Sequence, residues 1–377
     1  MRKQRWLGAS AALVSLVLVL AACQSSSSAS ASAGGSQPAS AAASSAPKFL
    51  ACEVTDTGGV NDKGFNQTAH DGIVKAAADF GIQTKLLEST ADTDYAPNLV
   101  AMAGAHCNLI VTVGFLLGDA TRVAALLHPE IKYSIVDYAY TPAIPNILGL
   151  VFDTKSASML QGYLAAGMST TGKVGTFGGI QIGPVTDFMN GFAAGVNYYN
   201  QQKGKHVQLL GWNPAKQTGT FTGDFTDQDK GRTTAEALMQ EGADVIMAVA
   251  GPVGQGAMAA VKANSAGMSP APIFIGVDVD QFVSVPGYEN IMMSSVLKRI
   301  DNAVYEAVKE AMAGDFPANL YVGTLKNDGV GMAPFHNFDS KIPQALKDEL
   351  NTLKSKLIDG SVTVDGFSGQ PPASAAP

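Results

Sequence analysis

The sequence predicts an α/β fold built as two doubly wound lobes, and three observations carry that expectation. Short apolar, β-branched runs alternate with stretches whose apolar residues recur at helical spacing. The alternation restarts with KVGTFGG at Lys173, so two units of similar size share one chain. Acidic residues and glycines stand where the apolar runs stop, the place where open parallel sheets carry their ligands.

The first unit takes its strands from FLACEV, LIVTVG at Leu109, YSIVD at Tyr133 and ILGLVF at Ile147. Its helices are expected over Phe65 to Phe80 and Ala91 to Ala105. The second unit follows KVGTFGG with a helix over Asp187 to Asn200, HVQLLGW at His206, a helix over Gly231 to Glu241, DVIMAVAG at Asp244, a helix over Gln255 to Asn264, and IFIGVD at Ile273. A strand at IMMSSVLK, a helix over Asp301 to Ala313 and pieces near Leu320 and Val362 are too little for a third domain and complete the two lobes. The expected division is 48–152 with 281–315 for the first lobe, and 153–280 with 316–365 for the second. Asp56, Gly114, Asp137, Gly178, Gly251 and Asp278 lie at or just past strand ends, so they converge on one cleft if the lobes face each other.

The ends of the chain speak to compartment. Arg2, Lys3 and Arg5 precede an apolar segment over Ala11 to Ala22, the layout of a secretory signal peptide over 1–22. Leu20-Ala21-Ala22-Cys23 resembles a bacterial lipobox, which implies that Cys23 becomes a lipidated N-terminus. The Ser/Ala/Gly stretch over 23–47 reads as a flexible tether, and 366–377 as a disordered tail. No later stretch is apolar for long enough to span a membrane. Of 25 basic residues, loss of Arg2, Lys3 and Arg5 leaves 22 against 32 acids, a charge of about −10 that argues against a nucleic-acid partner. Cys52 and Cys107 either pair in an oxidising compartment or are small buried residues, and the sequence leaves both open.

The loop TDTGGVNDKGFN, from Thr55, raises three readings. It is similar to the calcium loop of nucleoside hydrolases, but Val54 and Asn61 replace two of the four carboxylates that a hard cation would need. Asp56 and Gly58-Gly59 can make an Asx turn, with Asn61 or Asp62 capping the next helix. The third reading is a ligand loop, in which Phe65 stands beside the free amides of a helix start.

TDTGGVNDKGFNQ, with VGFLLGDA, IVDYAY, DFMNGFAAGV, DFTDQDKGR, VAGPVGQGA, GVDVDQF and SSVLKR, resembles the basic membrane protein family of bacterial lipoproteins, whose best understood type is the purine nucleoside receptor. The resemblance spans nearly the whole globular body. It implies a type I periplasmic-binding-protein fold with three crossovers between lobes, no catalytic centre and no cofactor. It further implies an ABC permease as partner and a monomer tethered to the outer face of the cell membrane.

On that resemblance, Phe65 and Phe188 stack on a purine from opposite lobes, and Asp137 accepts from the base edge with Asp56 and Asn66 nearby. Asp278 and Lys298 then bind the ribose hydroxyls, beside the backbone of Gly251. A flat ring with a polar edge needs aromatic faces and directional acceptors, and hydroxyls reward charged partners. Tyr138 and Tyr140 are possible further ring contacts. Two motifs are set aside: GPVGQG, from Gly251, lacks the Lys-Ser/Thr of a P-loop, and DFTDQDKG, from Asp224, lacks the glycine and final glutamate of a calcium loop. The alternatives are a binding protein for a sugar or other small polar ligand, and a nucleoside hydrolase.

Overall fold

The computed structural model describes residues 49–367. The expected signal peptide over 1–22, Cys23 and the expected tether to 47 lie outside the described residues, as does the chain from 368. Gly366 and Phe367, expected in that tail, are instead held: the Phe367 ring packs 4.8 Å from that of Tyr198, and Asn197 Nδ2 donates to the Phe367 carbonyl at 2.8 Å.

In chain order the first lobe begins with β1 (Leu50–Thr55), α1 (Phe65–Phe80), β2 (Gln83–Leu87), α2 (Tyr95–Gly104), β3 (Leu109–Val113), α3 (Gly118–Leu127), β4 (Lys132–Val136) and β5 (Ile147–Phe152). Helix α4 (Thr154–Met168) leads to β6 (Lys173–Gly178), α5 (Gly183–Lys203), β7 (Gln208–Leu210) and a small ribbon of β8 (Trp212–Asn213) and β9 (Thr218–Gly219). Then come α6 (Gln228–Gln240), β10 (Val245–Val249), α7 (Pro252–Asn264), β11 (Ile273–Asp278), α8 (Gln281–Ser284), β12 (Met292–Lys298), α9 (Ile300–Ala313), β13 (Leu320–Gly323), β14 (Val330–Met332) and α10 (Gln344–Asp359).

Two six-stranded sheets result, ordered β13-β5-β4-β3-β1-β2 and β14-β12-β11-β10-β6-β7. All pairs are parallel except β12 with β14. Parallel strands are buried on both faces, which is why β3 and β10 are continuous apolar runs with every residue buried. The chain passes between the sheets three times: after β5, after β12, and between β13 and β14. This corrects the division expected at 281–315. Strand β12 belongs to the second sheet, whereas β13 joins the first sheet beside β5, and the neighbouring α9 packs on α1.

Cys52 in β1 and Cys107 just before β3 form a disulfide, with Cα atoms 5.9 Å apart across neighbouring strands. It closes a loop of 55 residues, a constraint on the unfolded chain worth about 2–4 kcal/mol. Helices α4 and α5 pack backbone to backbone. A Cβ at Gly162 would fall 2.0 Å from the Phe192 carbonyl oxygen, and one at Gly191 2.2 Å from that of Lys155. Only glycine permits that approach, so α4 is buried on every side and carries no apolar stripe.

Candidate functional site

The C-terminal ends of strands from both sheets face one cleft, and all eight residues singled out for ligand binding line it: Asp56, Phe65, Asn66, Asp137, Phe188, Gly251, Asp278 and Lys298. The cleft holds about 620 Å³ of atom-free space with its open mouth included. It is a slot between close walls. Ile182, Pro184 and Phe225 from the second lobe and Phe115 and Leu116 from the first extend its apolar lining. The signal for Phe115 is present in the sequence, since it stands two residues past the β3 strand end.

The loop between β1 and α1 is built by its own carboxylates. Asp56 Oδ1 accepts from the Gly58 amide at 3.1 Å and from Asn66 Nδ2 at 2.7 Å. The Asp62 carboxylate accepts from the amides of Gly64, Asn66 and Gln67 at 2.8–3.0 Å, so it caps α1 from two residues before Gly64. Asn66 Oδ1 is buried with no hydrogen-bond partner among the described residues and its residue lines the cleft, which leaves an acceptor for a ligand donor. Gly114 closes over this corner at φ 120°, and a Cβ there would lie 2.8 Å from Asp56 Oδ2. The carboxylates of the calcium-loop reading are thus already engaged: Asp62 and the Oδ1 atom of Asp56 accept from the protein's own donors. Among the described residues no group of three or more His, Cys, Asp or Glu side chains is placed to hold a metal ion.

Asp137 and Asp278 end corresponding strands of the two lobes and share an unusual backbone, φ 67° and 68°. Left-handed geometry is costly for a side-chain-bearing residue and collects at functional positions. Lys298, at the end of β12 and 2 % exposed, reaches across the lobes to Asp137 Oδ2 at 2.5 Å. Its ammonium lies 4.7 Å from the Phe65 ring centroid, 5.3 Å from Phe152 and 5.7 Å from Phe188. Lys298 pairs with Asp137 because the β4 and β12 ends meet across the cleft; Asp278 feels the same ammonium at longer range.

Burial dominates the titration of the carboxylates here. It pushes Asp278 up to about 6, against the pull of Lys298, and Asp62 up to about 7 against three backbone hydrogen bonds. Burial also raises Asp56, which Asn66 and Gly58 partly offset. A carboxylate whose folded pKa is raised binds protons more tightly when folded, so its contribution to stability fades as pH climbs from the unfolded value to the folded one. For Asp278 and Asp62 that window runs from 3.8 to about 6 and about 7. The lowered surface carboxylates, such as Asp224 at about 2, act below it. The ligand-free protein is therefore expected to melt at a higher temperature at pH 5 than at pH 7.5. Asp278→Asn should flatten the profile, as thermal scans across that range would show.

The two motifs set aside also find their places. Asp227 caps α6 by accepting from the amides of Asp229 and Lys230. A Cβ at Gly256 of GPVGQG would lie 1.8 Å from the Gln228 carbonyl oxygen, so that glycine serves the packing of α7 on α6.

Residues 49–364 match the model of the Bmp family, described as ABC transporter substrate-binding protein PnrA-like. The chain is 32 % identical to the CD4+ T-cell-stimulating antigen of Listeria monocytogenes over 333 residues, covering 85 % of this chain and 89 % of that protein. It is 30 % identical to the ABC transporter nucleoside-binding protein BmpA of Lactococcus lactis over 327 residues, covering 83 % and 88 %. A solved solute-binding protein of an ABC transporter system from Aeropyrum pernix K1 superposes with a TM-score of 0.76 at 28 % identity, covering 84 % of this chain and 92 % of that one. With two lobes of parallel-dominated sheet, a shared cleft and a family match across the described body, this chain is a member of the PnrA-like ABC transporter substrate-binding proteins and a binding protein, not an enzyme.

Proposed function

We propose that the protein captures purine nucleosides in the interlobe cleft and delivers them to an ABC permease, as a monomer held on the outer face of the membrane by lipid on Cys23. The observation that carries the ligand class is the pair of phenylalanines, Phe65 from the first lobe and Phe188 from the second, around one ammonium in a narrow slot. A flat, two-faced ring suits such a slot, and a bare sugar leaves the rings without a partner. Asp278 is the carboxylate for ribose hydroxyls, and Asp56, Asn66 and Asp137 supply acceptors at the base edge.

Charge supports a nucleoside over a nucleotide. Among the described residues, four carboxylates, Asp56, Asp62, Asp137 and Asp278, line the cleft against one cation, Lys298. A phosphate would meet net negative charge in a place of low dielectric. The name of the Lactococcus lactis relative points the same way. The anchoring part of the proposal rests on the sequence of the first 23 residues alone.

Calorimetric titration with adenosine, guanosine, inosine, uridine, ribose and adenine, followed by chromatography of the recovered ligand, tests this reading. One-to-one binding of purine nucleosides recovered intact is the expected result, with ribose bound at least about 100-fold more weakly, the weight of two or three lost interactions. Preferential binding of ribose, or silence across the purines, would overturn the ligand assignment.

A further inference from the structure

Two hydrogen bonds join the lobes beside the cleft through side chains that do not line it. Gln255 Nε2 on α7 donates to the Asp62 carbonyl at 2.9 Å, and Ser284 Oγ at the end of α8 donates to the Lys63 carbonyl at 2.8 Å. The acceptors are consecutive carbonyls of the loop that leads from Asp56 to Phe65 and Asn66. Neither donor has another hydrogen-bond partner among the described residues. Among the described residues, each of these two side chains hydrogen-bonds only to the other lobe.

The acceptors are fixed before the lobes meet. Asp62 holds three amides at the start of α1, and the Val60 amide donates to Glu88 Oε2 at 2.7 Å. Asp56 ties down Gly58, and Lys63 adopts φ 63°. A loop pinned this thoroughly by the first lobe loses little entropy when the second lobe's donors arrive. The same loop carries cleft residues at both ends, so a grip on its middle holds the cleft walls in register.

We infer that Gln255 and Ser284 are a closure latch: positioning residues that touch no ligand, stabilise the closed lobes and set how long a bound ligand stays. Contacts present only in the closed form shift the open–closed balance by their own free energy. They slow ligand escape because the cleft must part before the ligand leaves. Association begins from the open form, where the latch is unmade, so it is untouched. This accounts for Gln255 in GPVGQG, which lies outside the cleft lining although Gly251 and Pro252 of the same motif are part of it. The inference depends on the nucleoside reading only for one of its two readouts.

The test uses the full chain in detergent, as wild type, Gln255→Ala, Ser284→Ala and the double variant, with two measurements. Stopped-flow dissociation of adenosine should quicken roughly threefold to fivefold in each single variant and about tenfold in the double, the worth of modest neutral hydrogen bonds. Association rates and the ratio of adenosine to guanosine affinity should stay within about twofold of wild type, since no ligand contact changes. Small-angle scattering of the ligand-free proteins should give a larger radius of gyration for the double variant. Unchanged dissociation together with unchanged scattering overturns the latch. If wild type binds no nucleoside at all, the ligand reading fails and scattering alone decides the latch: equal radii refute it and a larger one upholds it.

Discussion

A Lys298→Met variant is expected to lose purine nucleoside affinity by at least about 100-fold, the largest effect of any single substitution in the cleft. Lys298 is buried, bonded to Asp137 and within range of Asp278, so its loss strands two carboxylates in a place that water scarcely reaches. Removing one partner of a buried pair costs about 3–5 kcal/mol, and each 1.4 kcal/mol of that falling on binding is about tenfold. Part of the cost will appear as a lower melting temperature. The double variant Lys298→Met, Asp137→Asn separates the two, because it removes one of the stranded charges. Stability should largely return while binding does not. Calorimetry giving an affinity within about threefold of wild type would mean that the ammonium is structural only. An arginine is not a substitute, since its planar fork does not fit a point-charge position ringed by Phe65, Phe152 and Phe188.

The second large effect is at Phe65. It opens α1, is half-buried and reaches the slot from the first lobe, so truncation to Ala removes a stacking face with limited damage to the core. Stacking of a base on an aromatic ring is worth about 1–3 kcal/mol. Phe65→Ala should therefore weaken adenosine and guanosine roughly tenfold to 100-fold, and Phe65→Tyr much less. Phe188 is a harsher probe, because at 3 % exposed it also belongs to the core, and its replacement by Ala would cost folding stability as well. Equal losses for uridine, adenosine and ribose on Phe65→Ala would indicate a general packing defect instead of a base contact.

Much of this was legible in the sequence because the physics is local. Helix α1 runs over Phe65–Phe80 as its apolar spacing predicted, and β5 and β11 match ILGLVF and IFIGVD residue for residue. The convergence of Asp56, Asp137, Gly251 and Asp278 followed from one rule about parallel sheets. What escaped depends on partners far away in sequence. Helix α4 gives no periodic signal because α5 and other elements cover all its faces, and its Gly162 is explained only by the Phe192 backbone. The Lys298–Asp137 pair is not legible in the sequence, because its two partners lie 161 residues apart on different lobes. The Cys52–Cys107 bridge was undecided until β1 and β3 were seen to be adjacent. The split of 281–315 went astray because β12 and α9 are consecutive yet serve different lobes. Gln255 and Ser284 carry no signal at all in a single sequence, as their partners are backbone carbonyls.

The claim at the centre of this account is that a purine lies between Phe65 and Phe188 with its ribose on Asp278. Electron density for the protein crystallised with adenosine measures it directly. The account predicts the adenine ring between the two phenylalanines and ribose hydroxyls about 2.5–3.0 Å from the Asp278 carboxylate. A nucleoside bound with its base outside those rings, or with Asp278 turned away from the sugar, would contradict it.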